Sequence, residues 1–91
     1  MDSEKKEDSL IEFPALFPIK VIGNNTESFP QEVIAAIGSV YSDFSPTSLA
    51  SEYSKNKKYI SLTATVFVTS QEQLDAIYRA ITALENAKFV L

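Results

Sequence analysis

Cysteine, histidine and tryptophan are absent from this chain of 91 residues. Without thiols and imidazoles there can be no disulfide, no thiolate nucleophile, no imidazole base and none of the usual zinc ligand sets. Glycine occurs only at Gly23 and Gly38, so no glycine-rich loop is available to cradle a phosphate. No apolar run is long enough to cross a bilayer as a helix. Positive charge is also scarce. Eight Lys and Arg against twelve Asp and Glu leave a formal net charge of -4, which opposes non-specific attraction to phosphate backbones or anionic membranes. What remains is a chain 45% hydrophobic and 22% charged, the composition of one compact domain.

The opening MDSEKKEDSL is mixed in charge and has no apolar h-region. It reads as a solvated tail over residues 1–10, with a single domain over 11–91, no secretory signal and a cytoplasmic location. The Asn24-Asn25-Thr26 triplet matches a glycosylation acceptor, but that chemistry belongs to secreted proteins.

The next stretch, LIEFPALFPIKVIG, carries Pro14 and Pro18 and reads as an irregular extended lead-in. A strand follows from Ile19, with Ile19 and Val21 toward a core and Lys20 and Ile22 away from it. Gly23-Asn24-Asn25 reads as a turn. Ser28 and Gln31 have capping-box spacing, and Phe29, Val33, Ile37, Val40, Tyr41 and Phe44 form an apolar helical stripe that Asp43 to Pro46 terminates. Thr47 to Tyr53 reads as a polar edge strand. The Lys55–Lys58 run, KNKK, joins it in a hairpin to YISLTATVFV, where Ile60, Leu62, Ala64, Val66 and Val68 share one face. Tyr59, Ser61, Thr63, Thr65 and Phe67 occupy the other. Ser70 and Gln73 repeat the capping spacing ahead of a second stripe of Leu74, Ile77, Tyr78, Ile81 and Leu84. The chain closes on AKFVL, a segment of strand character.

The order βαββαβ with two one-sided helices predicts an α+β, ferredoxin-like sandwich: a four-stranded antiparallel sheet with both helices on one face and the first and third strands central. The other sheet face is left open. Lys20 projects from it, together with Tyr59, Thr63 and Phe67.

For Lys20 there are two readings. Its apolar stem can simply cover the sheet beside Ile22, or its ammonium can anchor a carboxylate, a phosphate or an acidic side chain of a partner. KNKK suits a solvated hairpin tip that discourages edge pairing. Glu27, Glu32, Glu72 and Asp75 fall near helix starts, where the dipole favours them. The serines and threonines of the third strand have no histidine or cysteine to activate them, so no enzyme, no cofactor and no metal site is expected. RNA-recognition motifs share this topology, but KYISLTATVF lacks their glycine and aromatic spacing, and Lys20 stands where an aromatic is needed.

With Glu12-Phe13-Pro14, then Phe17 to Gly23 (FPIKVIG), the βαββαβ order and the terminal apolar residues in view, the chain resembles the YbeD-like family of small bacterial proteins. That family's fold is similar to ACT domains, regulatory modules that bind amino acids between paired domains. In place of the acidic residue and proline that ACT domains carry after the first strand, this chain has Gly23-Asn24-Asn25-Thr26. The resemblance implies a regulatory role and a binding surface made by Gly23, Asn24 and Asn25 with Lys20. The expected function is therefore a non-enzymatic interaction module that docks on a protein partner or self-associates. The alternative is a sensor of an amino acid or carboxylate metabolite at a dimer interface, and a lesser one is RNA binding on the sheet face.

Overall fold

Ile60, Leu62, Ala64, Val66 and Val68 take every second position of a run rich in β-branched residues, and that run forms a ten-residue strand. In the computed structural model of the chain, which describes residues 12–91, it pairs along its whole length with a second ten-residue strand. The elements are β1 (Ala15–Asn24), α1 (Phe29–Val40), a 3-10 turn (Pro46–Ser48), β2 (Leu49–Tyr53), β3 (Tyr59–Val68), α2 (Gln71–Thr82) and β4 (Ala87–Val90). All pairings are antiparallel, in the order β2-β3-β1-β4. This is the expected ferredoxin-like βαββαβ arrangement, with β1 and β3 central. The expected tail at residues 1–10 lies outside the described residues.

Both helices cover one sheet face. Phe29, Val33 and Ile37 of α1 and Leu74, Ile77 and Ile81 of α2 join Ile19, Val21 and the five inward residues of β3 in one buried cluster. No polar or charged residue is buried among the described residues, so apolar packing joins the layers through their core.

The strand β1 begins at Ala15, four residues before the alternation suggested, and Pro18 sits within it opposite Thr65. Main-chain direction explains why a proline is tolerated there. Lys20 N–H donates to the Leu91 carbonyl at 3.0 Å and Leu91 N–H donates to that of Lys20 at 2.7 Å. Even-numbered residues of β1 thus turn their main-chain groups toward β4. Pro18 faces the same way, past the last residue paired there, so its missing N–H removes no ladder bond.

Three further details differ from the sequence reading. The helix α1 ends at Val40 and not near Phe44. Tyr41 leaves helical geometry, its ring and that of Phe44 lie 6.5 Å apart, and both pack on the core's edge. Pro46 forbids a continued helix, since its ring would clash with the carbonyl four residues back. Thr47 and Ser48 belong to the 3-10 turn, where the Ser45 hydroxyl accepts from Thr47 N–H at 3.3 Å, and not to β2.

Finally, only one of the two capping motifs forms. Ser70 is extended and its hydroxyl accepts from Gln73 N–H at 3.1 Å, while the Gln73 side chain accepts from Thr69 N–H at 2.8 Å. Ser28 already has helical dihedrals and makes no cap bond; its hydroxyl donates to Glu32 Oε2 at 3.0 Å.

Ser70→Ala should therefore cost about 1 kcal/mol in urea unfolding and Ser28→Ala only about 0.3 kcal/mol. Equal costs would contradict the cap assignment. A Cβ at Gly38 meets nothing within 4 Å, so Gly38→Ala should raise stability by about 0.5–1 kcal/mol in the same assay.

Candidate functional site

Away from the helices, the even residues of β1 face the odd residues of β3 in direct register: Leu16 with Phe67, Pro18 with Thr65, Lys20 with Thr63, Ile22 with Ser61 and Asn24 with Tyr59. From β4, Phe89 stands opposite Ile22, and Leu91 is hydrogen-bonded beside Lys20. From β2, Ala50 and Glu52 stand opposite Thr63 and Ser61. Because even residues of β1 spend their main-chain bonds on β4, their pairs with β3 are of the non-hydrogen-bonded kind, in which side chains approach most closely. Leu16 and Phe67 form one such pair, and Lys20 and Thr63 another.

This face carries most of the large apolar side chains that are exposed. Of six large hydrophobic residues exposed among the described residues, five lie on it: Leu16 (69%), Tyr59 (36%), Phe67 (44%), Phe89 (65%) and Leu91 (65%). The sixth, Tyr53, ends the edge strand β2. Two shallow depressions share Ile22 and Tyr59. One, of about 330 Å³, is completed by Lys88 and Phe89. The other, of about 200 Å³, reaches across to Lys20 and Glu52. The Lys58 ammonium stands 5.5 Å from the centre of the Tyr59 ring, a cation–π contact at the rim. Lys58 and Lys88 thus stand at the hairpin end of the face, and Lys20, nearer the middle of the ladder, lines the neighbouring depression with Glu52.

Lys20, Tyr59, Thr63 and Phe67 share the open face, as their alternation implied. Gly23, Asn24 and Asn25 are brought into different company. Gly23 is buried on the helix side, where a Cβ would overlap the Phe29 ring and the Asn86 carbonyl. Asn25 ties the loop after β1 to the hairpin tip: its N–H donates to the Lys58 carbonyl at 3.1 Å and its Nδ2 to that of Lys57 at 2.8 Å. Asn24 Nδ2 donates to Asn86 Oδ1 at 3.2 Å, and Asn86 Nδ2 reaches Glu32 Oε1 at 3.4 Å. Each of the three therefore has a structural partner inside the fold.

Leu16, Lys88, Phe89 and Leu91 were not singled out from the sequence. The signal was present in β1, whose run ALFPIKVIG is apolar on both faces, as in strands covered on both sides. Burial pushes the Tyr78 phenol above its ordinary pKa, but that group lies on α2, away from this face. No cluster of three potential metal ligands and no helix long and apolar enough to cross a membrane occurs among the described residues.

Residues 8–91 match a family described as protein of unknown function (DUF493). The chain belongs to this family. Among DUF493-like relatives, the UPF0250 protein NE1487 of Nitrosomonas europaea is 43% identical over 75 residues, covering 82% of this chain and 86% of that one. A UPF0250 protein of Leptothrix cholodnii is 38% identical over 91 residues, the whole of both chains. The solution structure of HP0495 from H. pylori superposes with a TM-score of 0.74, covering 100% of this chain and 94% of that one. At 24% identity that likeness shows the fold. Membership of this group of small bacterial proteins agrees with the YbeD-like resemblance carried by Glu12-Phe13-Pro14 and FPIKVIG.

Gly23→Ala tests the packing role of that glycine. It should destabilise the domain by about 1–3 kcal/mol through overpacking against Phe29. An unchanged unfolding midpoint would return Gly23 to the list of residues kept for ligand approach.

Proposed function

We propose that this DUF493 protein is a non-enzymatic regulatory module of the cytoplasm that works by docking its open sheet face on another protein. One observation carries the reading: five large hydrophobic side chains lie exposed together on the face that the helices leave uncovered. Exposed apolar side chains concentrated on one face of a small domain mark a place where something else packs. The residue inventory supports a binding role over turnover, because the side chains that usually act as nucleophile–base pairs are missing from the chain. Lys20, Thr63, Tyr59 and Phe67 are the contact residues this reading names, joined by Leu16 and Phe89. Gly23, Asn24 and Asn25 serve by holding the rim in shape.

A second reading has one observation behind it. The depression formed by Ile22, Tyr59, Lys88 and Phe89 has an apolar lining and one ammonium, a combination suited to a small carboxylate such as an amino acid. Its volume, about 330 Å³, is at the lower limit for small-molecule sites. RNA is the weaker reading. Tyr59 and Phe67 stand eight residues apart on β3, roughly 26 Å, too far for adjacent bases to stack on both.

A photo-crosslinking phenylalanine analogue placed in living cells at Phe67 or Phe89, and separately at Gln31 or Glu72 on the helix layer, tests the docking reading. Discrete protein adducts should form from the sheet positions and not from the helix positions. Adducts from the helix layer alone would overturn it. For the second reading, an amino acid or short carboxylic acid at a hundred times its Kd should add about 2.7 kcal/mol and raise the thermal midpoint by roughly 10–20 °C. No shift across a panel of such compounds removes them as ligands.

A further inference from the structure

We propose that the occupant of the open face is an acidic amphipathic helix of a partner protein. Its apolar stripe would lie along Ile22, Tyr59, Phe67 and Phe89, with its carboxylates against Lys20, Lys58 and Lys88. This rests on the docking reading above and names the partner's chemistry.

Layer geometry is the first argument. A four-stranded sheet is about 14 Å wide between the axes of its outer strands, and the β1–β3 ladder of ten pairs is about 33 Å long. A helix is about 10 Å wide and covers that length in about 22 residues. One helix laid along the ladder would cover most of the exposed apolar groups and give the sheet a second helical layer opposite α1 and α2.

Charge is the second, and it selects the partner. The carboxylates Glu32, Glu72 and Asp75 lie on the helices, with Arg79 the one basic residue there, whereas Lys20 and Lys88 come from sheet strands, as does Glu52, and Lys58 comes from the hairpin. The domain is therefore acidic overall yet places three ammonium groups, those of Lys20, Lys58 and Lys88, on or beside its apolar face. A second copy would bring the same three lysines to the contact with only Glu52 to answer them. A partner rich in Asp and Glu answers each lysine.

The test uses the full 91-residue chain as bait for a phage-displayed library of helical peptides of about 20 residues, randomised at both inner and outer positions. Enriched peptides are then titrated against the wild type, the triple variant Lys20→Glu/Lys58→Glu/Lys88→Glu and the double variant Leu16→Ser/Phe67→Ser. Thermal midpoints of the variants serve as a fold control. The expected result is peptides of net negative charge with apolar residues at three- and four-residue spacing. Their binding should fall about tenfold or more in the triple variant, and should also weaken in the double variant. Neutral or basic peptides that the triple variant still binds, and the double variant does not, would overturn the acidic helix while leaving a docking face. Peptides indifferent to both variants would overturn both readings. Single-stranded oligouridine bound at low salt and lost in the triple variant would replace the helix with nucleic acid. A dimer in sedimentation equilibrium that the double variant dissolves would replace it with a second copy.

Discussion

The register between β1 and β3 is the constraint on which the rest of this structure depends. Ten consecutive pairs, from Ala15 with Val68 to Asn24 with Tyr59, fix which side of each strand meets the helices. A slip of one residue would exchange the two faces of one strand, sending Ile19 and Val21 to solvent and Lys20 toward Val33 and Ile77. The buried cluster and the exposed patch are thus two consequences of one alignment. Gly23 closes the arrangement at the hairpin end, because only a residue without a side chain lets the Phe29 ring sit directly on β1.

Two sets of polar bonds lie near the hairpin end of the sheet and fasten its loops. Asn25 binds the two carbonyls of the hairpin tip, where Lys57 takes positive φ and Lys58 leans over Tyr59. Asn24, Asn86 and Glu32 link the end of β1, the approach to β4 and the first turn of α1. Loops fastened to a rigid sheet can present side chains at fixed spacing, as a recognition surface requires. Lys20, Thr63 and Thr65 stand among the exposed apolar residues, so the face offers polar contacts between its apolar ones.

Much of this architecture was legible in the sequence because single elements carry their own periodicity. The inward positions of β3 and the stripes of α1 and α2 follow from spacings within ten or twelve residues, and Lys20 is placed by its two neighbours. Features set between elements were not legible. Pro18 is harmless only because its main chain faces past the residues that β4 pairs, and neither strand shows this alone. Ser28 and Ser70 begin the same Ser-x-x-Gln spacing, yet Ser28 is helical at φ -89° and ψ -14° while Ser70 is extended at φ -157° and ψ 161°. The patch itself draws Leu16 from β1, Phe67 from β3 and Phe89 from β4, so it exists only once three strands are aligned. Asn25 has the look of a turn residue, and its partners lie 32 residues away or more.

The central claim, that the apolar sheet face is covered when the protein works, is met most directly by oxidative footprinting of side chains in intact cells and on the purified protein. The account predicts that Tyr59, Phe67 and Phe89 are labelled less in cells than in isolation, while Tyr53 at the edge of β2 is labelled alike in both. Equal labelling of the three sheet residues in the two settings would contradict it.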